Sequence, residues 1–106
     1  MKIALKHFTK TVTTAGTRER LTTLGVKSPS VSIQALRANT NVVFVGNNQV
    51  SSTNHFISLA AGGTVVLGLE SFGLANASID LSQIWLDVTT SGEGVMVGFY
   101  DRPDAD

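Results

Sequence analysis

Apolar and polar residues alternate in short runs along this chain, the two-residue period of strands half-buried on one face. Val31, Ile33 and Ala35 alternate with Ser32 and Gln34, and Val42 to Val45 follows as a dense β-branched and aromatic run. Between them Ala38-Asn39-Thr40-Asn41 supplies two Asn side chains that tolerate left-handed backbone, so the pattern predicts a hairpin with a loop of about four residues. Its arms differ. Val42 and Phe44 point one way and Val43 and Val45 the other, so the second arm must be covered twice, by its own core and by another sheet or another subunit.

The rest of the chain repeats this grammar. Ile3 and Leu5 alternate with Ala4 and Lys6, and Phe8 and Val12 extend the pattern, which predicts an N-terminal strand or arm over residues 1–13. Thr14-Ala15-Gly16-Thr17 reads as a turn, and Thr17 to Leu24 as a short polar strand anchored by Leu21 and Leu24. Helix competes there, but Thr22-Thr23 and Gly25 are poor helix formers. Ser28-Pro29-Ser30 breaks the chain, because the residue before a proline is pushed to extended geometry. Val50 to His55 reads as a polar loop; Phe56, Ile57 and Leu59 then lead through Gly62-Gly63, a second predicted hairpin, onto Thr64 to Leu69. Ser71 to Ser78 is a small-residue connection, and Ile79 to Gln83 can form one helical turn. Ile84, Leu86 and Val88 alternate with Trp85, Asp87 and Thr89, and Thr90 to Gly94 closes a third predicted hairpin onto Val95 to Tyr100. About eight short strands spaced by turn residues predict an all-β, antiparallel β-sandwich or jelly roll over residues 14–101, followed by a charged tail, 102–106.

A chain of 106 residues suits one domain. Cysteine is absent, so no disulfide framework holds the fold and nothing points to secretion. Met1 to His7 meets a charge too early for a signal peptide, and no apolar run approaches the roughly 20 residues of a membrane span. Net charge is zero but unevenly spread: Lys2, Lys6, Lys10, Arg18, Arg20, Lys27 and Arg37 face only Glu19 in the first third, whereas Glu70, Asp80, Asp87, Glu93, Asp101, Asp104 and Asp106 crowd the last third. Either a basic segment meets the acidic end of a neighbouring copy, or both groups are solvated faces of one monomer. The basic residues are scattered without interleaved aromatics, which argues against nucleic acid.

The inventory for chemistry is thin. His7 and His55 are the only imidazoles, and neither has ligand spacing to other metal-binding residues. No Gly-x-Ser-x-Gly elbow marks a nucleophile, and Gly92-Glu93-Gly94 is a turn rather than a dinucleotide fingerprint. Asp80 and Asp87 flank Ile84-Trp85-Leu86 as a candidate carboxylate pair; the simpler expectation is that Asp80 caps the following turn and Trp85 packs in the sheet or at an interface. Asn76-Ala77-Ser78 matches a glycosylation triplet by chance. Neither catalytic residues nor a cofactor or metal site is expected.

The succession Thr14-Ala15-Gly16-Thr17, Val31-Ser32-Ile33-Gln34-Ala35-Leu36, Asn39-Thr40, Val43-Phe44-Val45-Gly46, Leu59-Ala60-Ala61-Gly62, Asp80 to Asp87 and Ser91 to Val95 resembles small virion structural proteins of tailed bacteriophages. Such proteins are similar to capsid decoration or cement proteins, β-sandwich units that often form trimers where capsomers meet. The resemblance implies a non-enzymatic protein made in the host cytoplasm and placed on the phage head, with the major capsid protein and copies of itself as partners. Val43, Val45 and Trp85 are the expected subunit contacts, and the segment carrying Lys2, Lys6 and Lys10 is expected to reach toward the capsid. The alternative is a tail or head-fibre module that binds a receptor or carbohydrate, with Trp85 and Tyr100 as a stacking platform.

Overall fold

The computed structural model describes residues 4–68 and 78–101. Lys2, the connection at 69–77 and the tail at 102–106 lie outside the described residues. Within them the protein is all-β and antiparallel, with β1 (Ala4–Thr11), β2 (Glu19–Arg20), β3 (Lys27–Ser28), β4 (Ser30–Ala35), β5 (Val43–Gly46), β6 (Ile57–Leu59), β7 (Thr64–Gly68), β8 (Ile79–Asp80), β9 (Trp85–Val88) and β10 (Gly94–Asp101). One four-stranded sheet runs β1-β10-β4-β7, a second runs β2-β9-β5-β6, and β3 with β8 makes a two-stranded ribbon.

Both sheets turn their apolar positions into one core. Val31, Ile33, Ala35, Val95, Val97 and Phe99 come from the first sheet, and Val43, Val45, Leu59, Leu86 and Val88 from the second. Period-two alternation is therefore as predicted, and it sends Ser30, Ser32, Gln34, Met96, Gly98 and Tyr100 to the outer face of the first sheet.

The three predicted hairpins are not hairpins. β4 pairs with β10 and β7, whereas β5 pairs with β6 and β9, so residues 36–42 cross from one sheet to the other. Gly62-Gly63 likewise links β6 of the second sheet to β7 of the first, and Thr90 to Gly94 links β9 to β10 across the core. Alternation reports which face of a strand is buried, and two strands that face each other across a core alternate just as two paired strands do. Among the described strands of the two sheets, only β5 and β6 are both consecutive and paired. The crossings are fastened by backbone: Ala35 N–H donates to the Gly63 carbonyl (2.8 Å), Gly62 N–H to the Ala35 carbonyl (3.0 Å), and Leu36 N–H to the Gly94 carbonyl (3.1 Å).

Local chemistry matches the sequence more closely. Gly16 takes φ 84° in a turn closed by Thr17 N–H on the Thr14 carbonyl (3.0 Å). Asp80 caps the 3-10 turn Leu81–Gln83, accepting from Ser82 N–H (3.0 Å) and Ser82 Oγ (2.7 Å). Residues 17–24 are mostly irregular: Leu21 is buried, but Leu24 is exposed rather than an anchor.

Within the expected N-terminal strand or arm, Ala4–Thr11 form a strand paired into the first sheet. All eight residues of β1 pair with β10, from Ala4 opposite Asp101 to Thr11 opposite Gly94. Phe8 meets Phe99 edge to face at 6.0 Å, and Lys10 is tied to Glu19 at 2.8 Å. Glu19 also accepts from Thr13 N–H (2.8 Å). The Lys10 hydrogen bond, and then that of Thr13, hold the Glu19 carboxyl below its ordinary value near 4.5. Because the folded-state value is the lower one, this stabilisation is present above that pH and lost as pH falls through the folded value. Glu19→Gln is expected to lower stability at neutral pH and to flatten its decline as pH falls below the ordinary carboxyl value near 4.5, as followed by urea unfolding at each pH. An unchanged acid limb would dissociate Glu19 from acid stability.

Candidate functional surfaces

Strand β5 does need cover on both faces, and the chain supplies it itself. Val43 and Val45 are 0% and 1% exposed within the shared core. On the other face Phe44 lies against the His55 ring at 4.9 Å, and Val50, fully buried, sits over Gly46. A Cβ at Gly46 would come within 3.1 Å of Val50 Cγ2. Residues 47–56 thus fold back as a lid on the second sheet. The expectation that Val43 and Val45 contact another subunit is corrected on this ground. In sequence Val50 was one apolar residue at the head of a polar loop, a weak sign of this return.

Of the basic residues expected to reach toward the capsid, Lys10 has its ammonium bound to Glu19 of the same chain. Lys6 is exposed on β1, and Lys2 lies outside the described residues.

The candidate carboxylate pair does not converge on a common task. Asp80 is occupied by Ser82, whereas Asp87 is 4% exposed and accepts from Gly16 N–H (3.0 Å) and Val88 N–H (2.8 Å). Asp87 pins the Gly16 turn to β9, a structural role. The histidines are separated too: His7 lies on the outer face of the first sheet, and His55 stands beside Phe44 on the second. Among the described residues no three His, Asp or Glu side chains could hold a metal ion. The triplet at Asn76 begins outside the described residues.

Two surfaces remain. The first is the outer face of the β1-β10-β4-β7 sheet. Register sets Leu5 opposite Tyr100, His7 opposite Gly98 and Thr9 opposite Met96, and continues through Ser32 opposite Val66 and Gln34 opposite Thr64. No Asp, Glu, Lys or Arg occupies these positions. Leu5, Val66, Met96 and Tyr100 are exposed on it, and a groove of about 340 Å³ runs between Leu5, Val66 and Tyr100 over Ser30, Ser32 and Gly98. A Cβ at Gly98 would have no neighbour closer than 4.0 Å, so packing does not require glycine there; its effect is to keep the groove floor low.

The second surface is a hollow of about 530 Å³ on the outer face of the second sheet, lined by Gly16, Thr17, Arg18, Asn48, Gln49 and Trp85. Arg20, directly opposite Trp85 on β2, holds its guanidinium 5.2 Å from the indole centre. Trp85 and Tyr100 belong to the outer faces of different sheets, so they cannot form one stacking platform, and that expectation is corrected.

No known protein family, curated protein or solved structure matches this chain.

Proposed function

We propose that the protein is a non-enzymatic virion structural protein, a capsid decoration or cement protein that binds the phage head as a homo-oligomer and bridges neighbouring subunits of the major capsid protein. A trimer is the expected form. The single observation that supports this most is the uncharged outer face of the first sheet, where Leu5, Val66, Met96 and Tyr100 are exposed together. Exposed apolar patches of this kind mark contact sites. The contact surface accordingly moves from β5 and the basic segment to this sheet.

The strand order supports the reading as an analogy of fold, not of site. Numbered in chain order without the ribbon, the eight strands run first, eighth, third, sixth in one sheet and second, seventh, fourth, fifth in the other. We read this as a jelly-roll sandwich, an architecture used by viral capsid domains among others. The turn-and-strand succession that resembles phage virion proteins points the same way.

Leu5→Glu and Val66→Glu each test the surface. Each places a charge at an exposed position, so stability is expected to stay within about 0.5 kcal/mol of the parent. Oligomerisation by light scattering, and binding to purified expanded heads, are expected to weaken at least about tenfold because a charge would be buried unpaired at the contact. Undiminished assembly and head binding in both variants would remove this face from the account.

A further inference from the structure

The hollow over Trp85 has features that the decoration reading does not use. Its two walls are preformed. On one side, Gly16 N–H is held by Asp87 and Ala15 N–H donates to Ser91 Oγ (2.8 Å). On the other, Gln49 N–H donates to Asn47 Oδ1 (2.9 Å), Val50 N–H to the Asn47 carbonyl (3.0 Å), and Asn54 Nδ2 to the Gln49 carbonyl (3.1 Å). These bonds use backbone groups of the walls. Among the described residues the side chains of Arg18, Asn48 and Gln49 make no hydrogen bond of their own. No acid lines the hollow, and the acids beside it are engaged, Glu19 by Lys10 and Thr13, Asp87 by Gly16 and Val88.

We propose that this hollow binds a carboxylate-bearing sugar unit. Arg18 supplies a planar guanidinium able to take a carboxylate through two parallel hydrogen bonds. Asn48 and Gln49 each offer both donors and an acceptor, the pairing that neighbouring sugar hydroxyls require. Trp85, steadied by Arg20, supplies an apolar surface for the C–H face of the ring, with its indole N–H as a further donor. A volume of about 530 Å³ lies within the ordinary range for small-ligand sites. Arg18 beside two amides, with the neighbouring Arg20 engaged on the Trp85 ring, suits one carboxylate among many hydroxyls better than a run of phosphates, and the chain carries no net positive charge to attract nucleic acid.

Trp85 is the only tryptophan in the chain, so its fluorescence reports on this site alone. The protein is titrated with sialyllactose against lactose, and with a hyaluronan tetrasaccharide against chitotetraose, each pair differing in the carboxylate-bearing unit. A saturable change in emission is expected with at least one acidic sugar, weakened about tenfold or more in its neutral partner and in Arg18→Ala. Arg18 is exposed, so that variant should keep the parent's thermal midpoint. The proposal is overturned if no acidic sugar gives a saturable change, if neutral sugars bind equally, or if Arg18→Ala binds as the parent does. It is equally overturned if acetate or an oligo-dT strand matches the acidic sugars, since the hollow would then be a general anion or nucleic-acid site. The readout is independent of head binding, and Val66→Glu should leave it unchanged.

Discussion

Gly94→Ala is expected to destabilise the protein by about 3 kcal/mol or more, a fall of roughly 12 °C or more in Tm. An added Cβ would fall on the Lys10 carbonyl oxygen and stand 2.6 Å from Thr11 Cα, so the obstruction is backbone rather than a flexible side chain. Neither strand can move aside easily. Thr11 is paired opposite Gly94, and on the other side buried Asn39 grips Gly94 twice, donating from Nδ2 to its carbonyl (2.9 Å) and accepting from its N–H at Oδ1 (3.4 Å). Neighbouring Glu93 fastens the same crossing, accepting from Thr40 N–H (2.7 Å), Thr40 Oγ1 (2.9 Å) and Asn41 N–H (3.2 Å). Gly25→Ala is the matched control, because a Cβ there meets nothing within 4 Å; its effect should stay within about 1 kcal/mol. Urea unfolding of both variants decides the point. A Gly94→Ala protein as stable as the Gly25→Ala one would mean that β1 and β10 are not held this closely.

Deletion of residues 2–10 is expected to abolish cooperative folding. An arm could be removed without harm, but this segment contributes most of β1, the Phe8 contact with Phe99 and the Lys10 anchor for Glu19. Its loss would also expose the long edge of β10, whose unpaired backbone invites pairing between chains. The truncated protein should lack a cooperative thermal transition and should aggregate, as read by circular dichroism and light scattering. A soluble, cooperatively melting truncation would restore the reading of this segment as an arm.

Much of the local structure was legible along the chain because its causes are local. Gly16 turns the backbone at positive φ, and Asp80 caps its 3-10 turn through the Ser82 two residues on. Burial of alternate residues in β4 and β10 follows directly from their sequence. Pairing did not follow in the same way. Residues 36–42, 60–63 and 89–94 have turn composition whether they reverse a strand within one sheet or carry it across to the other. The Asn39 and Glu93 contacts that hold two of these crossings together join residues more than fifty positions apart.

The same division governs the candidate surfaces. Trp85, Tyr100 and the double apolar face of β5 could be picked out by residue type. Which of them reach solvent depended on residues 47–56 folding over Phe44, and on the two aromatics belonging to different sheets. By itself the sequence determined strand content, local turns and the buried face of each strand, because these follow from backbone preference and side-chain alternation over a few residues. Only the tertiary structure decided strand partners, the covering of β5, and the grouping of Arg18, Asn48, Gln49 and Trp85. Each of these is set by long-range contacts that compete for one shared core, and no short window of sequence contains both sides of such a contact.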